Sequence, residues 1–170
     1  MPKRTHSHAL TVPITDYQHP AIAALEENDL KYALRHDSPQ TAILCIAGDH
    51  GNFTLSLLHV QEYELIVFHS IYPIKACAPA RAETLRLLNH LNNALPGPAF
   101  RLDPDDGEIV FRHCVHLGTD AKLDPQCFMD ALALCRFALD RSIPLIPAVA
   151  LGQSTYAATL ASRAHSQSDN

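Results

Sequence analysis

The sequence lacks any long hydrophobic run. None of its apolar stretches approaches the ~18 residues that a membrane-spanning helix needs, and residues 1–19 contain no apolar run of signal-peptide length. The five cysteines are an odd number without a CxxC pair, as is typical of proteins in a reducing compartment. These absences predict a cytoplasmic protein with no membrane partner.

The sequence also lacks an excess of basic residues. Thirteen lysines and arginines stand against eighteen aspartates and glutamates, so the formal net charge at pH 7 is −5 with the histidines neutral. Lys3 and Arg4 are not followed by a basic stripe of the kind that binds nucleic acid. We therefore expect no nucleic-acid partner.

Motifs of the common enzyme classes are absent as well. The chain contains no P-loop, no dinucleotide-binding glycine motif, no nucleophile elbow and no zinc-protease motif. The segment 48–51 has two glycines, but a strand pattern follows it instead of a helix, which predicts a hairpin turn and not a phosphate loop. We expect no enzymatic activity and no cofactor.

What is present is the composition of a single globular domain. The chain has 170 residues, of which 47% are hydrophobic and 18% charged. Residues 1–18 are polar and contain Pro2 and Pro13, which predicts a flexible N-terminal arm. Residues 162–170 are polar and are predicted to be a disordered tail. The domain is therefore expected to span residues 19–161.

Periodicity and turn signals predict the order of helices and strands. Helices are expected from Pro20, over 80–95, over 125–141 and over 144–151. Strands are expected over 41–47, 53–60, 63–70, 100–103 and 108–117, with a short edge at 31–35. Because the hairpin loops are too short for crossovers, the predicted class is α+β, with helices packed on an antiparallel sheet of about five strands.

The predicted sheet is apolar on both sides in places. Phe53, Leu55 and Leu57 share one face by their period of two, whereas the segments 41–47 and 65–68 are apolar on both faces. Two interpretations remain open: the last helix pair completes the core, or the second face binds another subunit or a client segment. Under the second interpretation the candidate partner-binding residues are Leu58, Ile66, Phe68, Val110 and Arg112.

A histidine and cysteine cluster gives an alternative hypothesis. In the segment 113–116, Cys114 and His116 share a strand face, but two ligands are fewer than the usual three or four. His59 or His69 from neighbouring strands could complete a set. The alternative is a metal-dependent enzyme or metal sensor that uses His59, His69, Cys114 and His116.

The second half of the chain carries a family resemblance. The helix segment 85–92 precedes a strand at 100–103, a turn at Gly107 and a returning strand at 108–112, and a helix pair ends with the segment 144–152. This pattern resembles the YbjN family over roughly residues 20–152. Asn92 lies in the helix motif of that pattern, where a structural role at the helix end is expected.

The resemblance implies a fold like that of type III secretion chaperones. Members of the family are described as regulators of sensory transduction or stress and have no agreed enzymatic activity. The related chaperones are non-enzymatic, often dimeric, and hold partner segments in extended form. The resemblance therefore implies a non-enzymatic protein-binding or chaperone-like regulatory module of the bacterial cytoplasm. It would recognise protein segments through its sheet and form a homodimer.

Overall fold

The computed structural model describes residues 17–118 and 122–168 of the chain. Residues 1–16, most of the predicted flexible arm, lie outside this part. The described residues form five helices and six strands. In chain order they are α1 (Ile22–Glu27), β1 (Tyr32–Arg35), β2 (Ser38–Ala47), β3 (Asn52–Val60), β4 (Leu65–Lys75), α2 (Arg81–Asn93), β5 (Ala99–Leu102), β6 (Glu108–His116), α3 (Pro125–Ser142), α4 (Ile146–Ala150) and α5 (Tyr156–Ser168).

The six strands form one antiparallel sheet in the order β1-β2-β3-β4-β6-β5. After β4 the chain passes through α2 to β5, which forms one edge of the sheet. Strand β6 then returns between them and pairs with both β4 and β5. The predicted α+β class, with helices on an antiparallel sheet, is confirmed. The sheet has one strand more than the predicted five, since the short edge segment is a full strand, β1.

The segment 48–51 is the β2–β3 hairpin turn, as its sequence predicts. The Gly48 N–H donates to the Gly51 carbonyl at 2.8 Å. Asp140 of α3 braces the turn, since its Oδ1 accepts from the His50 backbone N–H at 2.8 Å. A Cβ on Gly48 would lie 2.2 Å from that same Oδ1, so the close approach of the turn to α3 requires glycine there.

The turn between β3 and β4 fixes which residues face the helices. A 3₁₀ turn at Gln61–Tyr63 is followed by Glu64 in the left-handed region with φ +47°. This turn pairs Leu57 with Phe68 and His59 with Ile66. Ile66 and Phe68, predicted to lie on the partner-binding surface, are therefore on the helix side and 0% exposed. The placement corrects that prediction, because a shift of register by one residue exchanges the faces of a strand.

The hydrophobic core lies between this helix side of the sheet and the helices. The rings of Phe68 on β4 and Phe128 on α3 are 5.7 Å apart, and Phe111 on β6 lies 5.0 Å from Phe100 on β5. Helix α2 is joined to β5 by Asn92, whose side chain accepts from the Phe100 N–H at 2.7 Å and donates to its carbonyl at 2.9 Å. Asn92 thus has the structural role expected for it.

Helix α5 occupies most of the segment predicted to be a disordered tail, since it continues to Ser168. Its first turn is held by two contacts. The Thr155 hydroxyl accepts from the Ala158 N–H at 3.2 Å, and Glu83 of α2 accepts from the Tyr156 N–H at 3.0 Å. Thr159 and Leu160 then pack inward.

Candidate functional site

The outer face of the sheet, opposite the helices, is the candidate site. The helices pack against the side that carries Leu55 and Leu57, so the alternate residues of each strand form the outer face. In the four central strands this face mixes apolar, hydroxyl and basic side chains. Its central members are Thr41, Ile43, Ser56, Leu58, Val60, Val67, His69, Ile71, Val110 and Arg112.

A shallow groove of about 390 Å³ runs across the middle of the outer face, and every residue that lines it belongs to a strand. Val67 forms its floor and is 7% exposed, whereas Leu58 and Ile71 at its rim are 38% and 56% exposed. In the part of the chain that the structure describes, no helix contributes to this lining. Among the described residues, this partly apolar face is therefore not covered by a helix.

The groove also carries positive charge. Arg112 on β6 pairs across the strands with His69 on β4, and both line the groove. Among the described residues no carboxylate forms a salt bridge with Arg112. Burial lowers the pKa of His69, and the neighbouring Arg112 charge lowers it further. The charge of Arg112 is thus available to a ligand.

The structure divides the five predicted partner-binding residues. Leu58 lies on the outer face of β3, and Val110 and Arg112 lie on the outer face of β6, with β4 between the two strands. Ile66 and Phe68 lie in the core. Sequence reasoning missed Val67 and Ile71, two apolar outer-face residues of β4. The strand was expected to end at residue 70, which left out Ile71, and the face of Val67 depends on the register of the β3–β4 hairpin.

The four residues of the metal hypothesis do not share a face. His69, Cys114 and His116 lie on the outer face, whereas His59 points to the helix side opposite Ile66. No group of three or more histidine, cysteine, aspartate or glutamate side chains is placed to hold an ion within residues 17–118 and 122–168. The proposed four-residue set is therefore wrong, because His59 is on the other side of the sheet.

A cluster of two histidines and a tyrosine fastens the N-terminal segment to the helix side of β3. The Tyr17 hydroxyl lies 2.7 Å from His59 Nδ1. The Ala21 N–H donates to His19 Nδ1 at 3.2 Å, so His19 is the neutral tautomer that donates from Nε2 to the Leu57 carbonyl at 3.1 Å. Burial lowers the pKa of both histidines.

The fold and the outer face define a class of protein: an α+β domain whose antiparallel sheet is covered by helices on one side and has an open, partly apolar face on the other. The chain belongs to the YbjN family. The family model, described as "Putative bacterial sensory transduction regulator", matches residues 22–147. This confirms the family that the sequence pattern suggested.

Two solved structures are similar in fold. The crystal structure of YbjN from E. coli matches with a TM-score of 0.52 and 11% sequence identity, over 71% of this chain and 86% of that chain. The HopA1–SchA chaperone–effector complex contains a chain with a TM-score of 0.45 and 19% identity, over 69% of this chain and 85% of that chain. Of these two, the first exceeds 0.5, and its likeness is one of fold. No curated protein matches the sequence. None of the helices that the structure describes has the length and apolarity needed to cross a bilayer.

Proposed function

We propose that this protein is a non-enzymatic regulatory module of the bacterial cytoplasm that binds an extended segment of another protein on the outer face of its sheet. The observation that carries the proposal is the groove of strand residues, with an apolar floor and rim and no helix over it in the described residues. Contiguous apolar surface of this kind marks interaction sites in soluble proteins. Leu58, Val110 and Arg112 are the proposed contacts.

The chemistry of the groove suggests the chemistry of the segment. Leu58, Val67 and Ile71 would contact apolar side chains of the client, and burying them would supply most of the affinity. Arg112 would form a salt bridge with a carboxylate of the client, because no carboxylate among the described residues forms one with it. We therefore expect an extended segment in which every second side chain faces the groove, with an acidic residue among apolar ones on that facing side.

Matched charge reversals test the proposal. Arg112→Glu changes the groove, and Arg86→Glu makes the same change on the exposed surface of α2, on the helix side. Tagged protein recovered from its native cells should retain its partner in the Arg86 variant. In the Arg112 variant the amount of that partner should fall at least about tenfold, since opposed like charges at an interface cost several kcal/mol.

A second pair of variants examines the apolar contribution. Leu58→Glu lies in the groove, and Leu85→Glu is the control on α2, where the leucine is similarly exposed at 47%. Loss of the partner with Leu58→Glu and retention with Leu85→Glu supports the outer face. Equal retention, or equal loss, in both members of each pair would contradict the proposal.

A homodimer through the same face is the related form of the proposal. Two copies could bury their grooves against each other, which would also remove the apolar rim from water. Light scattering of the purified protein distinguishes the forms. If the protein is a dimer and Leu58→Glu makes it a monomer, the dimer interface includes the groove. If the protein is a monomer at all concentrations, the groove is not a dimer interface and the client is its proposed occupant.

A further inference from the structure

The sheet is split between β3 and β4 at the end that adjoins the β2–β3 turn. The last residues that pair between these two strands are Ser56 and His69. Beyond that point β3 is still paired with β2 as far as Asn52, and β4 continues along β6 as far as Lys75. The facing edges of β3 and β4 therefore leave a cleft within the sheet.

The sequence of β4 and the packing of α3 account for the split. Continued pairing would set Asn52 opposite Pro73, which has no N–H to donate to a ladder. The pairing of β4 with β6 also shifts after Ile71, so β4 is irregular there. On the other side of the cleft, Asp140 of α3 accepts from the His50 backbone N–H and holds the β2–β3 turn to the helix. The split therefore follows from fixed features of the fold.

The cleft contains a cavity of about 320 Å³ that reaches from the outer face to the helices. Thr54 and Ile71 of the outer face line its mouth, whereas Leu139 of α3 and Pro147 of α4 line its inner end. Partly buried apolar side chains form much of its wall: Phe53, Ile74 and Ile143. A concave site with such a wall favours an apolar occupant, whose binding removes this surface from water.

One buried hydroxyl in the cleft lacks a partner. Ser70 of β4 lines the cleft and is 3% exposed. Within residues 17–118 and 122–168, the Ser70 hydroxyl forms no hydrogen bond. By contrast, the hydroxyl of Tyr72, two residues further along the same side of β4, is bonded to Ser142 of α3. Because a buried polar group without a partner costs free energy, Ser70 is the group that a ligand in the cleft would satisfy.

The cleft adjoins the proposed client groove. Ile71 lines both the cleft and the groove. Thr54 of the cleft and Ser56 of the groove are two residues apart on the same face of β3. An extended segment bound in the groove would therefore pass the mouth of the cleft, and one of its side chains that faces the sheet would enter it.

We propose that the cleft receives a tyrosine side chain of the client. The inference rests on the proposed function, since it names one residue of the segment that the groove binds. A phenol ring is a flat apolar body with a hydroxyl at its far end, so the ring would contact the apolar wall while its hydroxyl bonds with Ser70. A leucine or phenylalanine side chain would leave Ser70 without a partner. Aromatic side chains seated in pockets are frequent anchors of interfaces.

Two small probes that differ by one hydroxyl test the cleft without the client. They are N-acetyl-tyrosinamide and N-acetyl-phenylalaninamide, titrated into the wild-type protein and followed by NMR. The methyl signals of Ile74 and Ile143 should shift with the tyrosine probe, whereas those of Ile22 on α1 should not. The tyrosine probe should bind about threefold or more tightly than the phenylalanine probe, because only its hydroxyl bonds with Ser70. Unmoved signals of Ile74 and Ile143, or equal binding of the two probes, would overturn the proposal.

Ser70→Ala supplies the matched variant. It removes the hydroxyl, so the two probes should bind to it equally tightly. Because that hydroxyl has no partner among the described residues, its removal should not lower the midpoint of thermal unfolding. Ser154→Ala makes the same change between α4 and α5, outside both the cleft and the groove, and should keep the wild-type preference. A preference that persists in Ser70→Ala would contradict the role of Ser70.

Competition distinguishes a failure of this inference from a failure of the proposed function. The tyrosine probe should release the client from the wild-type protein at a lower concentration than the phenylalanine probe does. If Leu58→Glu loses the client but neither probe releases it, the client uses the groove without the cleft, so the inference fails while the proposed function stands. If Leu58→Glu and Leu85→Glu retain the client equally, the proposed function fails and the inference fails with it.

Discussion

The two faces of the sheet carry similar side chains with opposite surroundings. Leu57 and Leu58 are neighbours on β3, yet Leu57 is 0% exposed beneath the helices and Leu58 is 38% exposed on the outer face. On β4, Phe68 is packed against α3 while the next outer-face residues, Val67 and His69, line an open groove. Apolar character alone therefore does not distinguish a residue that stabilises this fold from one that is available to a partner.

The largest expected effect comes from the pair of leucines. Leu57→Ala removes three carbon atoms from the closed core and should lower the free energy of unfolding by about 3–4 kcal/mol. Leu58→Ala removes the same atoms from a surface that is open to water and should cost less than about 1 kcal/mol. Denaturant unfolding of both variants measures the difference.

Because the two substitutions are identical and adjacent, each serves as the control for the other. Equal losses of about 3 kcal/mol would mean that the outer face is covered in solution. A dimer or the residues before Tyr17 could provide such cover. Repeating the measurement over a range of protein concentrations separates a dimer, whose stability depends on concentration, from cover within one chain.

The same comparison shows what could be predicted from the sequence. The set Phe53, Leu55 and Leu57 was assigned to one face correctly, because it alternates with polar Thr54 and Ser56. Residues 65–68 are apolar without alternation, so their faces depend on the register of the β3–β4 hairpin. That register is set by a 3₁₀ turn and the left-handed Glu64, which no pattern in the sequence announces.

Two further differences have physical reasons. Helix α5 was not predicted because residues 162–168 are polar, although Thr155 before the alanine-rich first half of the helix is a helix-start signal. The contact between Asp140 of α3 and His50 of the β2–β3 turn could not be predicted, because only the tertiary fold brings these two elements together. The periodicity of the sequence predicts helices, strands and the faces of each, but it does not predict which side chains contact a histidine in a loop, such as His50.

A smaller effect is expected at the edge of the sheet. The Asn92 side chain forms hydrogen bonds with the N–H and the carbonyl of Phe100. Helix α2 therefore covers the free edge of β5, which is one end of the sheet. Asn92→Ala leaves the half-buried N–H and carbonyl without these bonds and should lower the free energy of unfolding by about 1–3 kcal/mol. Asn89→Ala, one turn earlier on the exposed side of α2, is the control and should change it by about 0.5 kcal/mol or less. A loss in Asn92→Ala no larger than in the control would show that water replaces the amide.

The smallest effect uses pH to examine the helix side. Burial lowers the pKa of His19, His59 and His113 below the ordinary value of 6.5. Well above pH 6.5 these histidines are neutral in both the folded and the unfolded protein, so their burial does not make the free energy of unfolding depend on pH. As the pH falls below 6.5, the unfolded chain takes up protons that the folded chain does not, so the free energy of unfolding declines until the pH passes the lowered values.

His59 offers the sharpest variant for this test, because its Nε2 is buried without a hydrogen-bond partner among the described residues. His59→Asn keeps a polar atom near the Tyr17 hydroxyl but cannot take up a proton, so it should reduce the decline between pH 6.5 and 5. His116→Asn, on the exposed outer face, should leave the decline as it is in the wild-type protein. Unfolding curves at a series of pH values give the comparison. An unaltered decline in the variant at position 59 would mean that burial does not lower the pKa of His59 in the folded protein.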